Sequence, residues 1–379
     1  MINGKKSRSL FFAILLLAGA VHLCGCHYIF KAMIHGTPNI DDLDLFPYRT
    51  IRAAPEPRPW PRADDYNTAI LDPELRDTLE DYGTVAFVVL KKGQVQYEEY
   101  WHGYAPKINS NSFSAAKSIV SILVGQALDQ GYIDSLDQPV GDFLPEFATG
   151  RKKEITIRNV LMMASGLNFD EAYNEPFSHT TDAYYGKNLR RLINSLEVVE
   201  EPGTVYSYRS GDTMLLGMVL EAATGMPLSD FAEKNLWQPL GAVGDAQWSL
   251  DRAGGLEKAY CCFYANARDF ARIGHLYLNR GRVNGRQLVP ESYVKESLEP
   301  IRLPNRKGET VDYYGYQWWL YNFSETPVYY ARGILGQYIF VIPDKDMVVV
   351  RLGHQRSRMQ VEHHPREVHT LIRGFMTTF

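Results

Sequence analysis

Ser112-Phe-Ser-Ala-Ala-Lys-Ser-Ile-Val-Ser-Ile-Leu-Val-Gly125 joins a short polar turn to an apolar helix. Ser114 and Lys117 stand three residues apart at the start of that helix, so their side chains share one face and the amine can reach the hydroxyl. The apolar residues that follow bury the helix on nearly all sides, which disfavours a charged ammonium and favours a neutral amine. The segment therefore predicts a nucleophilic serine with a lysine as its base.

The same Ser-x-x-Lys spacing occurs a second time, at Ser292-Tyr-Val-Lys295. This copy follows a proline and a glutamate and is typical of a solvated helix start, with Ser292 as the helix cap. Spacing alone therefore does not select the nucleophile, and other polar motifs must converge on Ser114.

The composition is that of an ordinary packed globule of 379 residues, 45% of them hydrophobic. A net charge of -4 provides no basic field, so we expect no nucleic-acid partner. The sequence has no glycine-rich phosphate loop, and a serine nucleophile with a lysine base implies no cofactor. We also expect no metal site and place four histidines without suitably spaced partners on a surface helix, namely His354, His363, His364 and His369.

Residues 1–26 have the pattern of an export signal, with a basic start, a short apolar run over 10–21 and the tetrapeptide Leu23-Cys-Gly-Cys26. The tetrapeptide resembles the bacterial lipobox, which implies that Cys26 carries a lipid. On that resemblance the protein is an exported, membrane-anchored lipoprotein of the bacterial cell envelope. Ordinary cleavage after a small residue and an uncleaved anchor are the alternatives.

Cys261 and Cys262 are the cysteines that remain once the signal is removed and Cys26 is lipidated. Adjacent cysteines make a strained disulfide pair, so we predict no disulfide between them. We interpret them as small apolar side chains beside the core.

Residues 27–66 include a run with four alternating prolines, which favours an extended spacer. We interpret this segment as a tether between the lipid and a domain over residues 67–379. It can equally pack along the domain surface, because Phe46, Tyr48 and Trp60 offer apolar anchors.

The pattern of the domain changes twice along the chain. It begins with a strand hairpin at Val85–Leu90 and Gln94–Trp101. A helical middle follows, with helices predicted at 157–163, 189–194, 212–223, 228–235 and 267–279. Strands return at 328–334, 337–343 and 347–352, and a helix over 365–376 closes the chain. This order predicts an α+β fold in which one antiparallel sheet, assembled from both chain ends and flanked by helices, carries an inserted, mostly helical lobe.

Four motifs follow one another along the chain: Ser114-x-x-Lys117, Ser165-Gly-Leu167, Pro202-Gly…Tyr208-x-Ser210…Leu-Leu-Gly217, and Gly333-x-x-Gly336-Gln337. Together they resemble the serine β-lactamase-related hydrolases. That family includes class C β-lactamases, D-alanyl-D-alanine carboxypeptidases, related esterases and the 6-aminohexanoate-dimer hydrolases. The resemblance covers roughly residues 70–355 and implies a β-lactamase/transpeptidase-like fold.

The resemblance also implies roles for individual residues. Ser114 would be the acylated nucleophile, Lys117 its base, and Tyr208 the first residue of the family's Tyr-x-Asn motif, which moves the proton onward. Tyr206 leaves some ambiguity at that position, because it begins the run Tyr206-Ser-Tyr208. The backbone N–H groups of Ser114 and Ile334 would form the oxyanion hole.

Two positions depart from the β-lactamase pattern and favour the 6-aminohexanoate-dimer hydrolase branch. Ser210 replaces the asparagine that contacts the substrate amide, and Ala331-Arg-Gly333 replaces Lys-Thr-Gly. Arg332, which precedes the substrate-binding position Gly333, could supply a substitute charge for a substrate carboxylate, although a side chain on a strand can also point away. Tyr173 matches the loop tyrosine that holds the substrate amide in that branch, with Tyr184 and Tyr185 as neighbouring candidates.

These observations predict an extracytoplasmic serine hydrolase that cleaves amide or ester bonds of small or peptide-like substrates through an acyl-enzyme. An esterase and a D-alanyl-D-alanine carboxypeptidase-like enzyme are the alternatives within the family. A non-catalytic module that binds cell-wall peptide is the alternative outside catalysis.

Overall fold

The computed structural model describes residues 27–173 and 175–379. The predicted signal peptide and lipobox, with Cys26, lie outside the described residues. Within the described residues, no helix is long and apolar enough to cross a membrane.

The helices of the described chain are α1 (His27–His35), α2 (Pro73–Asp81), α3 (Ala116–Asp129), α4 (Ile157–Leu161), α5 (His179–Tyr185), α6 (Leu189–Asn194), α7 (Ser210–Thr224), α8 (Leu228–Ala232), α9 (Ala267–Leu278), α10 (Glu291–Ser297) and α11 (Arg366–Thr378). The strands are β1 (Tyr48–Ile51), β2 (Thr84–Lys91), β3 (Gln94–Tyr100), β4 (Ser110–Asn111), β5 (Ala246–Ser249), β6 (Phe263–Ala265), β7 (Arg282–Val283), β8 (Arg286–Gln287), β9 (Trp319–Phe323), β10 (Thr326–Gly333), β11 (Gln337–Ile342), β12 (Met347–Gly353), β13 (Gln360–Val361) and β14 (His364–Pro365).

The main sheet has six strands in the order β3-β2-β12-β11-β10-β9, and every neighbouring pair is antiparallel. Strand β2 of the first hairpin pairs with β12 near the end of the chain, which confirms the prediction of one antiparallel sheet built from both chain ends. Val88 and Leu90 face one apolar cluster while Phe87 and Val89 face another. Successive side chains of a strand point to opposite faces, so β2 reads as a continuous apolar run because both faces of the sheet are covered.

Helix α3 lies at the centre of the larger cluster, and every residue from Ala116 to Ala127 is buried. Gly125 allows close packing there, since a Cβ at this position would lie 2.5 Å from the ring of Tyr293. Helix α7 packs directly against α3, and Leu215 and Val219 lie in the same cluster. The buried helix predicted behind Ser114 is therefore confirmed.

The helices predicted for the middle of the chain are all present, with small shifts at their ends. The segment predicted over 228–235 forms α8, which ends at Ala232 and continues as one π-helical turn over Glu233–Trp237. A small second sheet in the order β1-β5-β6-β4 was not predicted. Its strands are only two to four residues long, too short for a clear alternation of polar and apolar residues.

The proline-rich segment packs along the domain surface, as the second of the two interpretations predicts. Strand β1 pairs with β5, and Phe46 is buried. The indole Nε1 of Trp60 donates to the carbonyl of Arg268 at 2.9 Å, and the guanidinium of Arg272 lies 4.7 Å from its ring centroid. Tyr48 is 44% exposed and is not one of the anchors.

Cys261 and Cys262 are joined by a disulfide, so the prediction of two free cysteines is wrong. The backbone at Cys262 has a φ of +64°, a left-handed conformation that is uncommon for residues other than glycine. Both side chains are buried, and Trp248 Nε1 donates to the carbonyl of Cys261 at 3.0 Å. The pair therefore fixes the segment directly after Tyr260.

Candidate active site

Ser114 lies in a single 3-10 turn, Phe113–Ala115, between strand β4 and helix α3. The backbone at Phe113 has a φ of +43°, and its N–H donates to the Asn111 side chain at 2.8 Å. Strand β10 comes very close to this turn, because a Cβ at Gly333 would lie 2.3 Å from the carbonyl oxygen of Ser112. Only glycine fits there, which explains the first glycine of the Gly-x-x-Gly motif.

Lys117 is only 1% exposed, and its Nζ contacts three oxygens. The distances are 3.0 Å to Ser114 Oγ, 3.1 Å to Ser210 Oγ and 3.1 Å to the carbonyl oxygen of Tyr260. No carboxylate of the described chain lies within ion-pair distance of this amine. An amine in this position can take the proton of the serine hydroxyl without first breaking a salt bridge.

Ser210 is the first residue of helix α7, and both its hydroxyl and its backbone N–H donate to the carboxylate of Glu171. Ser210 Oγ donates to Glu171 Oε1 at 2.6 Å, and the Ser210 N–H donates to Glu171 Oε2 at 2.6 Å. A carboxylate beside the first N–H of a helix is favoured by the helix dipole. The hydroxyl of Tyr173 also donates to Glu171, so this residue joins three of the groups around the site.

Glu171 was missed by the sequence analysis, which considered only Tyr173 in the run Phe169-Asp-Glu-Ala-Tyr173. A signal was present, because the first backbone N–H groups of a helix have no partner within the helix. The N–H of a serine that begins a helix therefore needs an acceptor nearby. No local pattern distinguishes among the acidic residues of the loop, however, because the residue that meets Ser210 is determined by the fold.

Tyr208 and Tyr206 both line the pocket beside Ser114, but only Tyr208 is close to the lysine. Lys117 Nζ lies 5.1 Å from the ring centroid of Tyr208, and no such contact to Tyr206 occurs in the described chain. Tyr208 is half-buried against Trp319 at 5.6 Å between ring centroids. Tyr206 is 5% exposed, and its hydroxyl has no hydrogen-bond partner in the described structure.

The pocket has a volume of about 300 Å³ and brings most of the predicted site residues together. Those that line it are Ser114, Tyr173, Tyr208, Arg332, Gly333 and Ile334, joined by Glu171, Tyr206, Tyr313, Trp319, Arg356, Gln360 and His363. Lys117 and Ser210 do not line the pocket. Lys117 bonds directly to Ser114, and Ser210 is connected to Ser114 through Lys117. Tyr184 and Tyr185, the alternatives to Tyr173, are buried in the core and do not line this pocket.

Arg332 lies on strand β10, and its side chain points into the pocket rather than away from it. Its guanidinium lies over the ring of Trp319 at 3.1 Å from the centroid, and its Nη1 donates to the carbonyl of His363 at 3.3 Å. Arg356 lines the same pocket. Neither arginine has a carboxylate partner in the described part of the chain, so this end of the pocket is cationic.

The turn that carries Ile334 is held by Arg351, a fully buried residue of β12. Its Nη1 donates to the carbonyls of Leu335 and Gly336 at 3.1 and 2.7 Å. Burial lowers the pKa of Arg351 to about 10, which leaves it charged at neutral pH. A Cβ at Gly336, where φ is +84°, would lie 1.9 Å from this nitrogen, so the second glycine of the motif is also required.

The four histidines do not share a surface helix, and that prediction is wrong for His354, His363 and His364, because only His369 lies on a helix. His364 is buried, and its Nδ1 is hydrogen-bonded to the hydroxyl of Tyr330. Burial and the nearby charge of Arg332 lower its pKa to about 3, so it is neutral at physiological pH. Across residues 27–173 and 175–379, no group of three or more potential ligands is placed to hold a metal ion.

Comparison with known proteins gives consistent matches over most of the chain. The beta-lactamase family model matches residues 74–371. A 6-aminohexanoate-dimer hydrolase from Paenarthrobacter ureafaciens is 30% identical over 297 residues, which cover 74% of this chain and 75% of the relative. Esterase EstB from Burkholderia gladioli is 33% identical over 142 residues, which cover 34% of this chain and 36% of the esterase.

Solved structures share the fold at lower sequence identity. A Bacillus anthracis protein provisionally assigned as a 6-aminohexanoate-dimer hydrolase has a TM-score of 0.73 at 21% identity, over 89% of this chain and 92% of that chain. A penicillin-binding protein from Bacillus halodurans has a TM-score of 0.63 at 17% identity, over 80% of this chain and 100% of that chain. The fold is therefore of the β-lactamase/transpeptidase type.

Proposed function

This chain belongs to the beta-lactamase family and is a serine hydrolase, and we propose that it cleaves amide bonds of small or peptide-like substrates through an acyl-enzyme on Ser114. The observation that carries the proposal is the contact of Lys117 Nζ with Ser114 Oγ at 3.0 Å inside a buried network that contains no carboxylate partner for the amine. This contact provides a base for a hydroxyl that is otherwise a weak nucleophile.

In the proposed reaction Ser114 Oγ attacks the carbonyl carbon as its proton passes to Lys117 Nζ. The oxyanion that forms accepts hydrogen bonds from the backbone N–H groups of Ser114 and Ile334. The proton then moves to the leaving nitrogen with the help of the Tyr208 hydroxyl, the C–N bond breaks, and an acyl ester remains on Ser114. Water attacks this ester and gives up a proton to the same base. As the acyl–oxygen bond breaks, that proton passes to Ser114 Oγ, which leaves the free acid and the free serine.

The cationic end of the pocket supports a substrate that carries a carboxylate. Arg332 and Arg356 line that end without a carboxylate partner in the described structure, and Tyr206 adds a buried hydroxyl without a partner. The relative from Paenarthrobacter ureafaciens is named for the 6-aminohexanoate dimer, which is a linear amide with a terminal carboxylate. A substrate of this class would place its amide at Ser114 and its carboxylate at the arginines.

Ester hydrolysis is the second candidate, and it is favoured by the match to esterase EstB. The same groups can perform it, because an alkoxide is a better leaving group than an amine and needs less help from Tyr208. A module that only binds peptide would need no buried lysine in contact with a serine, so the contacts of Lys117 disfavour that alternative.

We further propose that the enzyme acts outside the cytoplasm, attached to the membrane by a lipid on Cys26. The support is the order of basic residues, apolar run and Leu-Cys-Gly-Cys26 at the start of the sequence. Metabolic labelling with a palmitate analogue is expected to mark the wild type and not Cys26→Ala. Equal labelling of the two proteins, or none in either, would contradict lipidation at this position.

The function is tested with three substrates that share one acyl group: a linear amide with a terminal carboxylate, its neutral methyl ester at that carboxylate, and a p-nitrophenyl ester. We expect turnover of the first and a lower kcat/KM for the second. An enzyme that hydrolyses the p-nitrophenyl ester but no amide would instead be an esterase. Ser114→Ala serves as the control and is expected to be inactive on all three.

A further inference from the structure

The hydrogen bonds of Lys117 have a direction that is set by its neighbours. As the base of the proposed reaction, the Lys117 amine acts with two hydrogens and one lone pair, and its nitrogen contacts three oxygens. The carbonyl of Tyr260 can only accept, so it takes one hydrogen. If Ser210 Oγ takes the other, the lone pair is left for the hydroxyl proton of Ser114.

Ser210 can serve as that acceptor only if its own proton points elsewhere, since a hydroxyl is both donor and acceptor. The carboxylate of Glu171 settles this choice, because it accepts the Ser210 hydroxyl at 2.6 Å and an ionised carboxylate has no hydrogen to donate in return. Its second oxygen is occupied by the Ser210 N–H at 2.6 Å, which fixes the carboxylate in its orientation.

We infer that Glu171 is a positioning residue for the hydrolysis: it accepts the hydrogen bond of the Ser210 hydroxyl, which makes Ser210 an acceptor for Lys117 and so turns the lone pair of the Lys117 amine towards Ser114. The inference rests on the proposed role of Ser114 and Lys117.

Glu171→Gln tests this direction with almost no change of shape. The Ser210 N–H still requires an acceptor, so the amide oxygen turns to it and the NH₂ group faces Ser210 Oγ. The serine proton is then free to point at Lys117 and occupy the lone pair. We expect kcat to fall about 100-fold, within the range for a misdirected general base, with KM changed less than about threefold. Glu171→Asp keeps the acceptor and is expected to retain at least a tenth of the wild-type kcat.

The decisive comparison is a double-mutant cycle with Ser210→Ala. Without the Ser210 hydroxyl, Glu171 has no route to Lys117, so Glu171→Gln is expected to have no further effect on kcat in that background. The rate of Ser114 labelling by a serine-reactive phosphonate should follow the same pattern. Thermal melting of all variants shows that the comparison is made between folded proteins.

Two results would overturn the inference while leaving the proposed function intact. One is a wild-type kcat for Glu171→Gln. The other is an equal loss of kcat in the wild-type and Ser210→Ala backgrounds, or a loss expressed mainly in KM, as expected if Glu171 acted through Tyr173 on substrate binding. Undiminished labelling of Ser114→Ala would instead contradict the proposed function itself. If Glu171→Gln does not fold, the kcat of Glu171→Asp decides, and a fall below a hundredth of the wild-type value overturns the inference.

Discussion

The two ends of the active-site pocket differ in how their polar groups are paired. At the serine end, Lys117, Ser210 and Glu171 bond to one another and to fixed groups of the described chain. At the arginine end, Arg332 lies over the ring of Trp319 and donates to the carbonyl of His363 but has no carboxylate partner, and the buried hydroxyl of Tyr206 has no partner in the described structure.

Buried polar groups in folded proteins are nearly always hydrogen-bonded, so the unpaired hydroxyl of Tyr206 is unusual. The polar groups at the serine end are held in position without a ligand. This suits groups that must act on a reacting bond without first rearranging. The arginine end becomes complete only when a ligand brings acceptors to it. We therefore expect changes at the serine end to alter kcat for every substrate, and changes at the arginine end to alter the choice of substrate.

The largest effect is expected from Lys117→Met, which keeps the length of the side chain and removes the base. We expect kcat to fall by about 10²–10⁴-fold on all substrates, because Ser114 loses the group that accepts its proton. Lys295→Met is the matched control in the second Ser-x-x-Lys pattern, where Ser292 and Lys295 are both exposed, and it should leave kcat unchanged. Steady-state kinetics that show Lys117→Met within tenfold of wild type would contradict the assignment.

Arg332→Gln is expected to affect one substrate class only. A hydrogen bond to a charged group contributes about 1.5–3 kcal/mol, so kcat/KM for the carboxylate-bearing amide should fall roughly 10–150-fold. The neutral methyl ester of the same compound should change less than about threefold. The exposed Arg282 provides a control as Arg282→Gln. An equal loss on both substrates would show that Arg332 supports the pocket rather than the recognition of charge.

Tyr206→Phe sharpens the comparison because it removes only the unpaired hydroxyl. We expect the melting temperature to stay the same or rise, since loss of a buried group without a partner removes its desolvation cost. The kcat/KM for the carboxylate-bearing amide should fall about three- to tenfold. A melting temperature lowered by several degrees, with kinetics unchanged, would mean that the hydroxyl serves the fold.

The smallest effect on catalysis is expected at Asp212, behind the serine end, which accepts from Ser165 Oγ at 2.6 Å. Burial raises the pKa of Asp212 to about 6, although the charge of Arg209 and the bonds from Ser165 oppose the shift. The folded protein therefore binds more protons than the unfolded chain between about pH 4 and 6. The stability that the protonated carboxyl provides is present at pH 4 and is lost as the pH rises through 6.

Chemical denaturation across that pH range measures this loss. Asp212→Asn cannot titrate, so the free energy of unfolding of the wild type should fall relative to the variant by about 3 kcal/mol between pH 4 and 7. A constant difference between the two proteins would contradict the assignment of the raised pKa.

The sequence predicted the parts of this molecule that follow from local patterns. Strand β2 and helix α3 were recognisable because long apolar runs bury both faces of a strand or the whole surface of a helix. The Ser114–Lys117 contact followed from helical periodicity, and the positions of Tyr173, Tyr208, Arg332, Gly333 and Ile334 in the same pocket followed from the resemblance to the family.

The features that were missed depend on contacts between distant parts of the chain or on an unusual backbone. Glu171 meets Ser210 across 39 residues, and no local pattern marks which acidic residue of the loop does so. No local pattern in the sequence indicates the Cys261–Cys262 disulfide or the left-handed backbone at Cys262. The burial of His364 depends on Tyr330 of a distant strand.

Covalent labelling of Ser114 is the most direct test of the account. Intact-mass and peptide analysis after treatment with a serine-reactive phosphonate should show one adduct, on the peptide that contains Ser114. Ser292→Ala should be labelled like the wild type, and Ser114→Ala should not be labelled. An unlabelled wild type, or an adduct that persists in Ser114→Ala, would contradict the claim that Ser114 is the nucleophile.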